Sequence, residues 1–284
     1  MIDSNILNPK SPKFHIKKYL EGIRSDLVGK CVMDIPAGNG VTSELLLEMG
    51  ANVEAFDLFP EYFMLKDVRC NFTDVMQSIP VADNHADMII CQEGIEHFSD
   101  QLKVFKEFNR VLKMNGQLLI TTPSYSNIRS RISYLLFESE NFRKMPPNEI
   151  DDIWMSDKSL HQEIYHGHIF LIGLQKLRIL ATLAGFRISE VRYTRISKAS
   201  VILFPFFYPF IFISSILRYF RCLRKHKDLT PETVKRIYNE QLKLNLHPAN
   251  LLNHHTFMIF KKENELKDLD FRQESLVKPF GKIM

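Results

Sequence analysis

The first half of the chain alternates short apolar runs with segments of helical periodicity. The apolar runs that predict buried strands lie at residues 31–35, 52–58, 87–92 and 117–122. Residues 41–49 and 100–113 instead place apolar side chains at helical spacing, and Gly50 and the Asn115-Gly116 pair supply stop and turn signals. Strands and helices in short alternation are typical of a parallel sheet covered on both faces. We therefore predict an α/β fold built on a doubly wound sheet.

The remaining segments are patterned less regularly. Residues 1–28 have the spacing of a short amphipathic helix, whereas residues 124–168 are polar and predict loop with a short helix. Further elements are a helix over 170–184, a strand over 187–195, a helix starting at Thr230-Pro231 and a last strand over 255–262. The chain then divides into an N-terminal helical cap (1–28), a core (29–195 and 254–262), an apolar and basic insertion (196–253) and a tail that we expect to fray (263–284).

The insertion contains an unusually aromatic segment. Residues 201–217 carry no charge, and residues 191–227 include eight Lys or Arg but no Asp or Glu. A bilayer-spanning helix needs about 20 apolar residues, and Pro205 and Pro209 would each disturb one. Because flanking basic residues suit anionic headgroups, we predict a monotopic or re-entrant membrane contact, bent at the prolines so that both basic flanks return to one side. A buried insertion, a dimer face and a true transmembrane span are the alternatives.

Composition narrows the class of protein. Apolar residues make up 45% and charged residues 25% of the chain, which is enough to bury a core. The charge is nearly balanced, 37 basic against 33 acidic residues, and the basic cluster adjoins an apolar run, so we predict no nucleic-acid partner. The four Cys lack ligand or disulfide spacing, so we predict no metal and interpret Cys31 and Cys91 as reduced core thiols. The first residues lack a signal-peptide pattern, which predicts a cytosolic protein.

The turns after the first strands carry candidate ligand-binding residues. The sequence DIPAGNG at 34–40 places glycines between a buried strand and a helix, where a ligand can approach the backbone. Asp57 ends the second strand, and a carboxylate there can accept both hydroxyls of a ribose. Asp74 ends the segment NFTD, where it could meet an adenine amine. Each residue also has a plain structural interpretation, as a turn or a cap.

In their order and spacing, these motifs resemble those of class I S-adenosylmethionine-dependent methyltransferases. The resemblance covers roughly 28–190 and the strand at 256–261. It rests on the first turn, on Asp57, on Glu96-His97 after the fourth strand, and on the Asn115-Gly116 turn before a strand ending in Pro123. Pro36 departs from the pattern, because it replaces the first glycine of the turn and removes a backbone amide. The resemblance implies a Rossmann-like sheet, mostly parallel with an antiparallel last strand.

The resemblance also implies a cofactor and site residues. The cofactor would be S-adenosylmethionine, held by Asp34, Pro36, Ala37, Gly38, Gly40, Asp57, Leu58, Asp74 and Glu93. His97 is the candidate for taking the acceptor's proton, and His161, His166 and His168 are further candidates. A nicotinamide-binding domain is a poorer match, because Ser43 stands where the dinucleotide pattern has its third glycine.

The expected reaction is methyl transfer to a hydroxyl or another nucleophile of a lipid-borne acceptor at the inner face of the membrane. A lipid-linked saccharide, a lipid headgroup and a quinone are the classes considered. One alternative is a soluble methyltransferase acting on a small hydroxylated metabolite or a quinone. Another is a non-catalytic, methyltransferase-like partner protein, which the departure at Pro36 keeps open. The oligomeric state is left open.

Overall fold

The computed structural model describes residues 4–155, 164–225 and 230–269. The strands are β1 (Cys31–Asp34), β2 (Asn52–Asp57), β3 (Cys70–Phe72), β4 (Ala86–Gln92), β5 (Leu112–Pro123), β6 (Ile153–Met155), β7 (Ile164–His166), β8 (Phe186–Val191) and β9 (His255–Lys262). The α-helices are α1 (Pro12–Gly22), α2 (Arg24–Leu27), α3 (Val41–Glu48), α4 (Gln101–Val111), α5 (Ile128–Phe137), α6 (Leu174–Leu183), α7 (Lys198–Leu223), α8 (Pro231–Leu246) and α9 (Pro248–Leu252).

Seven strands form one sheet in the order β3-β2-β1-β4-β5-β9-β8. Strands β1 to β5 run parallel to one another, so that Asp34, for example, pairs with Ala55 on β2 and with Ile90 on β4. Strand β9 runs antiparallel to both β5 and β8. This order confirms the predicted doubly wound, Rossmann-like sheet with an antiparallel last strand. The parallel strands end at a common edge, here called the carboxyl edge, where the loops that follow them meet.

Both faces of the sheet are covered by helices, as the pattern predicts. One buried cluster includes side chains of α4 and α6, and the other includes side chains of α1 and α3. Strand β9 supplies both, because Met258 and Phe260 belong to the first cluster and Phe257 and Ile259 to the second. Successive side chains of a strand point to opposite faces, so a nearly continuous apolar strand is the expected sequence for a position buried on both sides.

Polar side chains fix the starts of several helices. Ser11, Asp100, Asn127 and Thr230 each accept a hydrogen bond from a backbone N–H in the first turn of the helix that follows. Such caps satisfy amides that have no partner inside the helix, each contributing about 1 kcal/mol. The helix predicted to start at Thr230-Pro231 is therefore confirmed at α8.

Three local features differ from the sequence-based expectation. The Asn115-Gly116 turn lies inside β5, where Asn115 has φ 67° and the pairing with β4 shifts register. The short pair β6 and β7 falls in a segment predicted as loop and short helix, because three-residue strands leave no periodicity to detect. Cys91 is buried as predicted, but Cys31 is only half-buried, because it is the first residue of β1.

The tail beyond residue 269 lies outside the described residues.

Helix α7 corrects the predicted shape of the aromatic segment. Residues Lys198–Leu223 form one uninterrupted helix that contains both prolines, instead of a segment bent back on itself. A 26-residue helix is about 39 Å long, so a bend does not bring its basic ends together. The return is made by α8, which packs antiparallel to α7: Asn245 Nδ2 donates to Ser215 Oγ at 2.8 Å, and Tyr238 lies beside Cys222.

The same helix is almost entirely uncovered. Within α7 only Ser200 is buried, and by length and composition the helix could cross a membrane. Its exposed side chains include large apolar ones: Ile202, Phe206, Phe210 and Leu217 are each about two-thirds exposed or more. The alternative in which this segment is buried within its own chain is therefore wrong.

Candidate active site

The turn between β1 and α3 is shaped by two glycines. Gly38 has φ 52° and Gly40 has φ 89°, conformations that favour glycine. Within the described part of the chain, no atom other than those of its chain neighbours lies within 4 Å of the position that a Cβ on Gly38 would take. The turn therefore presents bare backbone to open space at Gly38, as a close-approaching ligand requires, whereas a Cβ on Gly40 would meet the Phe63 ring at 2.9 Å.

Asp57 ties this turn to the end of β2. Its Oδ2 accepts the backbone N–H of Gly38 and its Oδ1 accepts that of Phe59, both at 2.8 Å. The side chain is nearly buried. Asp57 thus stands where the first turn meets the end of the second strand, as predicted for a residue that accepts ribose hydroxyls. Leu58, the next residue, is half-buried.

Asp34 is turned inward from the same edge. It is buried and accepts a hydrogen bond from Ser43 Oγ at 2.7 Å. Burial raises the pKa of the Asp34 carboxyl to about 7, against the opposing effect of the Ser43 hydrogen bond. In this structure Asp34 therefore locks the turn to α3 and shapes the backbone around the glycines.

Pro36 packs against the end of β4. A Cβ on Gly94 would overlap the Pro36 ring, so the two residues fit only because position 94 has no side chain. Ala37 is also held firmly, since its N–H donates to Phe56 O at 2.9 Å. The departure at Pro36 is thus accommodated by a matching glycine on the neighbouring loop.

Glu93 and Glu96 follow β4 at the carboxyl edge. Glu93 has φ 47°, which is rare outside glycine, and its N–H donates to Thr121 O at 2.9 Å. Burial raises the pKa of both carboxyls, to about 7 for Glu96, and the Glu96 charge raises that of Glu93 further. Among the described residues, Glu93 Oε1 and both carboxylate oxygens of Glu96 have no hydrogen-bond partner. Buried polar atoms are rarely left so, which marks this place as one where a polar ligand or water binds.

His97 lies beside this pair of carboxyls. Its Nδ1 lies 3.2 Å from the Gly167 carbonyl oxygen, so Nδ1 carries the proton and Nε2 the lone pair. The His168 ring is 5.7 Å away, and burial lowers the pKa of His168. Of the other predicted histidines, His166 lies on β7, and His161 lies outside the described residues.

One histidine at the site was not predicted. His255 begins β9 opposite Pro123, and its Nε2 is 3.5 Å from Glu93 Oε2. Burial lowers its pKa to about 4, with a further contribution from His254, so His255 is neutral near pH 7. The contact could not be predicted from the sequence, because residues 93 and 255 are far apart in the chain. Residue 255 reaches the carboxyl edge only because β9 pairs antiparallel with β5. Asp74, by contrast, lies after β3, where its Oδ1 accepts the Met76 N–H at 2.9 Å.

Comparison with known proteins identifies the family. Residues 14–191, more than half of the chain, match the family described as "Methyltransferase domain". This chain belongs to that methyltransferase family. Its fold is that of a SAM-dependent methyltransferase from Archaeoglobus fulgidus, with a TM-score of 0.50 and 15% identity over 92% of this chain and all of the other.

The curated relatives are shorter matches. A ubiquinone biosynthesis O-methyltransferase from Xanthomonas oryzae pv. oryzae is 32% identical over 110 residues, which cover 35% of this chain and 45% of the relative. One from Colwellia psychrerythraea is 26% identical over 162 residues, which cover 51% and 64%. The chain thus spans about half the length of the curated relatives it matches.

The residues at the carboxyl edge of this methyltransferase fit S-adenosylmethionine, the cofactor predicted from the sequence. The bare backbone at Gly38 leaves room for it, and Asp57 can hold a ribose. The carboxyls after β4 can receive the polar groups of its methionine end. When bound, S-adenosylmethionine supplies a methyl group on a positively charged sulfur, so the chain's main task is to align the acceptor.

Proposed function

We propose that this methyltransferase methylates a hydroxyl on a small acceptor of the quinone or hydroxylated-metabolite class. The names of the curated relatives support an oxygen acceptor of that kind. The observation that carries the proposal is the group of titratable side chains, Glu93, Glu96 and His97, gathered at the end of β4 beside the cofactor turn. A hydroxyl needs such a group because its proton must leave as the oxygen–methyl bond forms.

His97 is the proposed proton acceptor. The Gly167 carbonyl fixes the ring with Nδ1 protonated, so Nε2 carries the lone pair that can accept a proton. A carboxylate oxygen of Glu96 lies within 4.8 Å of a ring nitrogen of His97, so the ionised form of Glu96 favours the imidazolium that results. His255 stays neutral and contributes no competing positive charge.

We further propose that the acceptor lies in a membrane, with the enzyme bound peripherally at its cytoplasmic face. Helix α7 starts at the carboxyl edge, where Ser200 Oγ lies 3.3 Å from both Asn127 Oδ1 and the Arg129 backbone N. Asn127 in turn donates to the Ser124 carbonyl, directly after β5. The uncovered apolar helix therefore begins beside the site. The position of α7 next to the site favours a membrane-soluble quinone as the methyl acceptor. A lipid-linked saccharide or a lipid headgroup is the second candidate.

Charge supports a lipid surface as the partner of α7. Lys198 stands at one end of the helix, and Arg218, Arg221, Arg224 and Lys225 are exposed at the other, with no acidic residue between 191 and 227. Near an anionic membrane each such residue contributes about 1 kcal/mol. Large exposed apolar side chains between two basic ends match the two layers of a membrane interface, acyl chains and headgroups.

Packing favours a helix that lies on the bilayer instead of crossing it. The polar helix α8 covers one side of α7 from Ser215 onward, through contacts such as Asn245–Ser215. The residues before that point, 199–214, extend about 24 Å, less than the roughly 30 Å hydrocarbon core. The segment formed by α7 and α8 leaves the sheet after β8 and returns to it at β9. Both of its ends therefore stay on the side of the membrane where the sheet lies.

Two experiments test these proposals separately. Calorimetry with S-adenosylhomocysteine, followed by methyl transfer to hydroxylated quinones and to phenolic metabolites, tests the acceptor class. Binding without transfer to any hydroxyl acceptor would refute it. Flotation with anionic vesicles tests the membrane contact, and wild-type protein that stays unbound at low salt would refute that part alone.

A further inference from the structure

A second cluster of chemically reactive side chains lies away from the carboxyl edge. Cys31 begins β1, Glu54 lies on β2, and His85 immediately precedes β4. His85 Nε2 is 2.8 Å from Glu54 Oε1, and Cys31 Sγ is 3.8 Å from the same oxygen. All three side chains are half-buried, so solvent reaches them. Nothing in the proposed methyl transfer uses these residues.

The donor set and spacing are those of a small cation site. One atom from each residue, a sulfur, a nitrogen and an oxygen, lies within 4.8 Å of the other two. In a tetrahedral zinc site, ligand atoms about 2.0–2.3 Å from the ion stand about 3.3–3.6 Å apart. The observed separations of 2.8 and 3.8 Å lie on either side of that value, so small side-chain movements are sufficient. We propose that Cys31, Glu54 and His85 bind a zinc-like divalent cation, with water as the fourth ligand.

The identity of the donors selects the metal. Thiolate and imidazole favour Zn²⁺ over Mg²⁺ or Ca²⁺, which prefer all-oxygen sites. Burial, with the neighbouring Glu54 charge, raises the pKa of the Cys31 thiol to about 11, so binding releases its proton to solvent and strengthens as pH rises. Lys30 and Lys113 lie nearby, and their positive charges would repel a cation. Asp87 offsets that repulsion, because it pairs with Lys113 at 2.9 Å and lies 3.9 Å from Lys30.

Such a site would join three segments of the sheet. The ligands come from β1, β2 and the loop before β4, so a bound cation would resist separation of these strands. The expected role is structural, at a distance from the methyl-transfer site and compatible with it. Zinc should then raise the thermal unfolding temperature of the full chain without any cofactor present.

Cobalt absorption and zinc calorimetry on chelator-treated full-length protein test the site. Co²⁺ bound to Cys31 should give a sulfur-to-metal charge-transfer band, which a cation at His97 and His168 could not give. Cys31→Ser should abolish the band, and Glu54→Gln and His85→Gln should each weaken zinc affinity by more than the about 10–100-fold typical of a supporting residue. Cys70→Ser is the matched control, because Cys70 is a half-buried thiol on β3 outside the cluster.

The outcomes are separable. A band that persists in Cys31→Ser, or zinc affinity unchanged in all three variants, would overturn the proposal. So would the lack of both a band and zinc binding in the wild type. If Cys31→Ser fails to fold, the Glu54→Gln protein still decides the matter, since it removes a ligand charge and keeps the shape of the side chain.

Discussion

The contact between Pro36 and Gly94 predicts a specific steric coupling. In Gly94→Ala, the new Cβ would overlap Pro36 Cδ and lie 2.7 Å from Cγ and 3.3 Å from Cys91 Sγ. Gly94 has φ −125° and ψ −37°, outside the left-handed region that favours glycine, so the cost is mainly steric. The proline ring is stiff and Ile35 N is bonded to Ile90 O at 3.0 Å, so relief requires the backbone to move.

Overpacking of this kind costs about 1–3 kcal/mol. For a chain of this size the unfolding temperature should fall by about 2–4 °C for each kcal/mol. Affinity for S-adenosylhomocysteine should fall as well, because the displaced residues flank the cofactor turn. Gly22→Ala is the control: Gly22 ends α1, and among the described residues outside that helix no atom lies within 4 Å of the position its Cβ would take, so this change should be neutral or slightly stabilising.

A double-mutant cycle isolates the contact. In a Pro36→Gly background the ring is gone, so Gly94→Ala should lose most of its effect on the unfolding temperature measured by calorimetry. A coupling energy of about 1 kcal/mol or more is expected for residues in direct contact. Equal effects of Gly94→Ala in both backgrounds would refute the reasoning and place the cost elsewhere in the loop.

Four further outcomes are expected. Asp57→Ala should weaken S-adenosylhomocysteine binding about 10- to 100-fold by calorimetry, because two backbone amides and a ribose lose their acceptor; Asp74→Ala, with one local bond, should cost less. His97→Ala should lower turnover about 100-fold or more while cofactor affinity holds, and unchanged turnover at every pH would make His97 structural. Asp34→Asn should raise the unfolding temperature at pH 8 more than at pH 5: because burial raises the Asp34 pKa from 3.8 to about 7, the carboxyl destabilises the fold increasingly as pH rises between those values, and the amide does not. Reversing the charge of Arg218, Arg221, Arg224 and Lys225 to Glu should release the protein from anionic vesicles in flotation, whereas the same change at the exposed Lys103, Lys106, Lys261 and Lys267 should not.

The sheet was predictable because its central strands are apolar and bounded by turn residues. Apolar runs such as 87–92 and 117–122 predict strands buried on both faces of the sheet. The glycines at 38 and 40 predict the turn after the first strand. The family resemblance then supplied the order of the strands, which no single periodicity contains. The placement of Asp57 beside Gly38 follows from that order.

The contacts that were missed join residues far apart in sequence. His255 meets Glu93, and Cys31 meets Glu54 and His85, only after strand order and direction are known. Helix α7 was missed for another reason. Prolines predict a break from local geometry, but a helix interior loses only individual hydrogen bonds at each proline, and the uninterrupted helix retains its other bonds.

The excursion through α7 and α8 is the tip of an antiparallel hairpin. Antiparallel pairing continues beyond the ends of β8 and β9 in the segments that follow and precede them. His254 N donates to Arg195 O, Ile196 forms an isolated bridge with Asn253, and Ser197 N donates to Leu252 O. Everything from 197 to 252 therefore leaves and re-enters the sheet through one narrow neck. Lengthening such a loop costs only about 0.6 kcal/mol per doubling, so the neck itself sets little limit on what the excursion contains. Its returning part is tied to the core, because Leu244 and Ala249 are buried in the cluster that also holds Met258 and Phe260. The exposed apolar side chains of α7 are therefore the part of the excursion that can vary without disturbing the sheet.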